Sequence, residues 1–223
     1  SLAPNNSIQI QVETLRWSVS TCSGAAHRKR REPDPSLRMA YSIEKDRNSR
    51  MTLYSDTTLL SARPPFEFRH SLAFMADFGP LRDSQLILGA AVTRAILLEQ
   101  RVIVYRVQHE DTSALSCTLW SDSELSAREI AAAHERIAFA LSLNDNLVPF
   151  YKLAEGDPIF QPIVEQLYGY HQVKFPSAFE NAVWAVLSQR NTLTSARNMR
   201  LALVNAYGAA LTVEGRRYGA FPE

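Results

Sequence analysis

The residue pattern changes period at Trp120, and that change limits the folds open to this 223-residue chain. Before it, apolar residues alternate. In Arg101–Glu110 (RVIVYRVQHE), Val102, Val104 and Arg106 share one predicted strand face, and Ile103, Tyr105 and Val107 the other. Leu86–Glu99 and Ala114–Trp120 read as strands in the same way, with a reversal at Gln100, a polar turn at 108–112, and Gly89 marking a bulge or bend. Phe66–Phe78 follows the Pro64-Pro65 break with strand-like spacing of Phe66, Phe68, Leu72 and Phe74, and Gly79-Pro80 closes it. These runs predict an antiparallel sheet of four or five strands over 66–120.

After Trp120 the spacing becomes helical. Ser126-Ala127-Arg128-Glu129 has the form of a capping box, and Ile130, Ala133, Ile137, Ala138 and Leu141 continue it on one face. Leu147–Gly156 reads as a short helix closed by glycine. Asp157-Pro158 supplies the cap and first residue of a helix over Ile159–Tyr168, with Gly169 as its stop. The expected class is therefore α+β: an antiparallel sheet domain at 64–122, followed by an all-helical segment at 123–223. Residues 1–63 form a polar, basic N-terminal region. It contains a candidate strand at Ser7–Ser20, a charged tract at His27–Arg31, and MTLYSD at Met51–Asp56, which has room for short strands.

Within the helical half, Phe175–Gly208 is the stretch with most to say about function. Phe179, Ala182, Val183, Val186 and Leu187 keep helical spacing and predict an amphipathic helix with that face in a core, flanked by Asn181 and Trp184. The polar cluster Ser188-Gln189-Arg190-Asn191-Thr192 interrupts it. A second helix follows (Ala196, Met199, Leu203, Ala206, Tyr207), with Gly208 as its stop. On residue chemistry alone the cluster is either a solvated helix–helix corner or a polar projection made to enter something.

Composition narrows the alternatives. Lys+Arg is 24 and Asp+Glu 23, a net charge of +1, so a nucleic-acid site has to be local rather than global. Cys22 and Cys117 stand far apart and outside any metal-ligand spacing, and His70 and His109 lack partners at useful spacing; neither a disulfide, a metal nor a cofactor is expected. No run of roughly 18 apolar residues is present, and SLAPNNSIQI lacks the form of a secretory leader, so a soluble intracellular protein is expected. Nucleophile-elbow, zinc-protease, phosphate-loop and dinucleotide motifs are all missing. The acidic residues of the C-terminal half, including Glu129, Glu155, Glu165 and Glu180, sit at helix starts or on polar faces.

The order of pieces nevertheless resembles the helix-hairpin-helix DNA glycosylases of the 3-methyladenine DNA glycosylase II type. The resemblance is carried by Asp157-Pro158 with Tyr168-Gly169, and by Pro176, Phe179-Glu180 and Val183-Trp184-Ala185-Val186-Leu187-Ser188-Gln189. It continues through Ala196, Leu203 and Tyr207-Gly208 to the closing Tyr218–Glu223. It covers about 66–223 and includes the sheet.

This resemblance implies base-excision repair of alkylated double-stranded DNA in the cytoplasm, nucleoid or nucleus, by extruding a damaged base and hydrolysing its N-glycosidic bond. Gln189 then matches a helix-end glutamine, Arg190 a wedge filling the gap in the base stack, and Asn191 its neighbour; Trp184 belongs to the core or the base pocket. The family's hairpin and catalytic aspartate would lie beyond Phe221-Pro222, so no catalytic residue is assigned in this chain. On that reading the 223 residues alone are an inactive, truncated form. A complete protein would be a monomer, and the truncated one would associate through exposed apolar surface. The alternative is a non-catalytic DNA-binding or protein-interaction module.

Overall fold

The computed structural model describes residues 52–111 and 114–223. The predicted strand at Ser7–Ser20 and the basic tract at His27–Arg31 lie outside them. Five antiparallel strands form the main sheet: β1 (Tyr54–Ser61), β2 (Gln85–Leu88), β3 (Ala91–Leu98), β4 (Arg101–Asp111) and β5 (Ala114–Ser121). They lie in the order β1-β5-β4-β3-β2. β1 pairs along its whole length with β5, Tyr54 opposite Ser121 and Ser61 opposite Ala114, so the sheet reaches back into residues that the sequence left in the N-terminal region.

The alternation in β4 holds as read. Ile103, Tyr105 and Val107 are buried on one face with Leu115, Cys117 and Leu119. Val104 is buried on the other with Ala95 and Leu97, and Val102 packs there too. The reversal at Gln100 is a two-residue turn in which Glu99 (φ 48°) and Gln100 (φ 70°) both adopt left-handed backbone. Leu86–Glu99 is two strands rather than one bent run. Leu88 pairs with Ala91 across a turn that opens at Gly89, whose φ of 59° suits glycine.

The class of two segments differs from the sequence expectation. Phe66–Phe78 holds no strand; Phe68–Asp77 is helix α1. Its buried residues Phe68, Ser71, Leu72 and Met75 recur every three or four positions, and this face of α1 covers the sheet. The C-terminal half is not all helical either. Besides α2 (Ala127–Ala140), α3 (Val148–Ala154), α4 (Gln161–Gln166), α5 (Ala178–Leu187) and α6 (Leu193–Tyr207), it contains the hairpin β6 (Ala209–Val213) and β7 (Arg216–Ala220).

The hairpin puts Leu211, Val213, Tyr218 and Ala220 against the second face of the sheet. Arg106 ties it down, donating to Glu214 and lying 5.0 Å from the ring of Trp120. α1 and α2 thus pack on one side of the sheet, and the hairpin packs on the other, against β3 and β4.

The Ser126 capping box opens α2 as predicted, Glu129 bonding back to the Ser126 amide at 2.8 Å. α4 is shorter than its predicted span. Asp157 Oδ1 accepts from the amides of Ile159 and Phe160, both at 2.9 Å, and so caps a turn that precedes the helix. No described helix is long and apolar enough to cross a membrane.

Candidate nucleic-acid interface

The polar corner at 188–192 is built by the two helices it joins. Ser177 caps α5, accepting from the Glu180 amide at 3.1 Å, and Thr192 caps α6, accepting from the Ser195 amide at 3.1 Å. Between them the Ser188 amide closes on Trp184 and the Gln189 amide on Val186. Asn191 Nδ2 donates to the Leu187 carbonyl at 3.0 Å, so this side chain is occupied in closing α5. Arg190 sits at φ 54°, a left-handed conformation in a residue that has a Cβ. Gln189, Arg190 and Asn191 are all exposed, and no described carboxylate pairs with Arg190. Such a tip offers a bare guanidinium on a backbone fixed from both sides.

The rest of α5 departs from expectation. The apolar stripe predicted to lie in a core is largely open: Phe179 is 52% exposed and Val186 66%. The buried side chain is Glu180. Its Oε1 accepts from Arg94 of β3 at 2.6 Å and from Arg200 of α6. Burial pushes the Arg200 guanidinium below its ordinary value and Glu180 draws it back up. On α6 the buried line is Ala196, Arg200 and Val204, while Tyr207 faces solvent. Trp184 is half-buried.

Beside the first turn of α5 lies a cleft of about 460 Å³ lined by aromatic rings. Phe74 of α1 and Phe78, just past its C-terminal end, stack with centroids 5.4 Å apart, and Phe175 meets Phe78 edge-on at 6.0 Å. Phe139 of α2 completes the aromatic lining, with Lys174 Nζ 5.2 Å from its ring centroid, and Asn181 adds an amide. Its volume is that of a small-molecule site, about 300–1,000 Å³. Trp184 is not among its lining residues. The sequence pattern places Phe74 and Phe78 on a strand and so does not mark them as candidate site residues. The i, i+4 spacing of the two rings was the signal that would have found them.

No protein-family model matches the chain. Over 80 residues, 36% of this chain and 26% of the relative, it is 32% identical to a DNA-3-methyladenine glycosylase of Bacillus subtilis (strain 168). In fold it is similar to the 3-methyladenine DNA-glycosylase from Archaeoglobus fulgidus, with a TM-score of 0.61, 18% identity, and 74% of this chain and 56% of that one covered. It is also similar to the Clostridium acetobutylicum 8-oxoguanine glycosylase/lyase in complex with double-stranded DNA, with a TM-score of 0.50 and 15% identity over 77% of this chain and 54% of that one. The chain thus spans about a quarter of the curated relative and just over half of the solved ones. In local sequence and in fold, it resembles the helix-hairpin-helix DNA glycosylases, those of the 3-methyladenine type included.

Proposed function

We propose that the chain is part of a base-excision repair glycosylase acting on alkylated DNA, and that the α5–α6 corner is where it enters the duplex. The observation that carries this reading is Arg190, exposed and left-handed at the tip of a corner capped on both sides. A guanidinium is planar and cationic, so it can stack in the gap left by an extruded base while donating to the orphaned partner strand. Gln189 flanks it on the α5 side. Asn191 holds the turn through Leu187 and leaves its carbonyl oxygen for the opposite strand.

The extruded base needs an aromatic receptacle, and the cleft between α1 and α5 is lined by such rings. α5 runs from Asn181 at the cleft towards the corner, roughly 10–15 Å at 1.5 Å per residue, a span suited to a flipped nucleotide. The Bacillus relative's name and the DNA-bound Clostridium structure support the same reading. The carboxylate that would stabilise the developing oxocarbenium is assigned to no residue of this chain.

Fluorescence anisotropy with duplexes containing or lacking an abasic-site analogue tests the wedge. The chain is expected to prefer the abasic duplex. Arg190→Ala should reduce that preference by about 1–3 kcal/mol, the range for loss of one base-stacking side chain, while leaving binding to intact duplex close to unchanged. Equal preference in the two proteins refutes the wedge. In single-turnover assays on alkylated duplex these 223 residues are expected to release no base, and release would place the reacting carboxylate within them.

A further inference from the structure

Helix α5 is held to the fold by a charge cluster. Arg94 Nη2 reaches Glu180 Oε1 at 2.6 Å, Arg200 Nη2 binds the same oxygen, and Arg200 Nη1 donates to Ser84 Oγ at 2.5 Å. All three charged side chains are at least 94% buried. Two guanidiniums sharing one carboxylate leave a surplus positive charge at this point, and Arg200 Nε is buried with no hydrogen-bond partner among the described residues. Such an arrangement is poor value as stabilisation, because apolar replacements of buried ion triads are often neutral or stabilising. What it supplies is direction. Short charge-assisted bonds fix angle and register, whereas an apolar seam lets helices slide.

Placement adds to this. Arg94 comes from a strand buried along most of its length, Glu180 from the first turn of α5, and Arg200 from the middle of α6. The triad therefore fastens both arms of the corner to one fixed point on the sheet. Asn181, next to Glu180, lines the aromatic cleft, and Arg190 lies at the far end of the lever. Pivoting α5 about Glu180 by about 10° would shift its far end by roughly 2 Å, at 1.5 Å rise per residue.

We infer that Arg94, Glu180 and Arg200 are positioning residues that set the angle of the α5–α6 corner, and with it the distance between the cleft and the Arg190 tip. This rests on the DNA reading of the corner given above.

The test is the triple variant Arg94→Met, Glu180→Leu, Arg200→Met in the full chain, with Glu180→Gln alone as the variant that keeps shape and loses charge. Two measurements are made: the abasic-to-intact affinity ratio, and amide hydrogen exchange across 188–195 and across the sheet. The expected result is a folded protein with unchanged exchange in β3–β5, faster exchange in the corner, and a ratio reduced by about tenfold, since misplacement near 1 Å can cost up to about a hundredfold. A variant that folds and keeps both the ratio and corner protection overturns the inference and leaves the triad a fold contact. If the triple variant does not fold, Glu180→Gln decides on the same two readouts. If wild type shows no preference for the abasic duplex, the DNA reading fails by itself, and the exchange data alone decide: unchanged corner protection overturns the inference and accelerated exchange upholds it.

Discussion

Cys117 shows how the sheet controls chemistry one side chain at a time. It lies in β5 with no exposed surface, between Thr58 of β1 and Val107 of β4. Burial, reinforced slightly by Asp56, pushes its thiol up to about 12. Thiolate is the reactive form, so at neutral pH this cysteine should be inert while the fold is intact. In a Cys22→Ser background, iodoacetamide is expected to leave the native protein unmodified and to alkylate Cys117 only as denaturant unfolds the sheet. Labelling at native rates comparable to a free thiol would show that β1 opens locally from β5. His171 is a second buried group that sequence could not assign. Both its ring nitrogens face backbone carbonyls, Ser142 at 2.6 Å and Pro65 at 2.9 Å, and it thereby ties the chain after α4 to the residues before α1.

Among the elements, those with a single dominant period were legible. The alternation of β4 and the capping box of α2 are local signals, and the structure honours both. Helix α1 was not legible because Phe66, Phe68, Leu72 and Phe74 imitate alternation. Its buried line of Phe68, Leu72 and Met75 is distinguished only by what covers it. The stripe on α5 is helical in period but largely exposed, since periodicity identifies a face and says nothing of its partner. The Arg94–Glu180–Arg200 cluster joins residues 86 and 20 positions apart, beyond the reach of any local pattern.

Gly208 was legible as a stop, but for an incomplete reason. Its φ of −84° is open to any residue. The constraint is space: a Cβ there would lie 2.6 Å from the Val204 carbonyl oxygen and closer still to that of Ala220 in β7. Both obstacles are backbone, so Gly208→Ala must move α6 away from the hairpin, at a cost of about 1–3 kcal/mol. Gly79→Ala, with nothing within 4 Å of its added methyl and no left-handed backbone, is the matched control and should stay within about 0.5 kcal/mol of wild type. Equal denaturation midpoints for the two variants would refute the steric account.

Taken together, the elements divide into a closed half and an open one. The central strands of the sheet are covered on both faces, and residues such as Ile103, Val104 and Leu115 have no exposed surface. The helical half carries Leu153 (78% exposed), Ile159 (83%), Val186, Leu193 and Tyr207 in solvent. Single exposed apolar residues are ordinary; this many in one half of the fold leave apolar area that water disfavours at roughly 25 cal/mol per Å². The 223 residues are therefore expected to associate in solution. Sedimentation velocity over rising concentration should give a weight-average mass climbing above 25.1 kDa, and Val186→Lys with Leu193→Lys should lower it. Salt separates this from charge pairing. Apolar association persists or strengthens in sulfate, whereas contacts between surface ion pairs fade as the Debye length falls to about 3 Å at 1 M. A mass fixed at 25.1 kDa at all concentrations would mean that these side chains are sheltered in solution, with α3–α4 and α5–α6 folded more closely together than their exposures indicate.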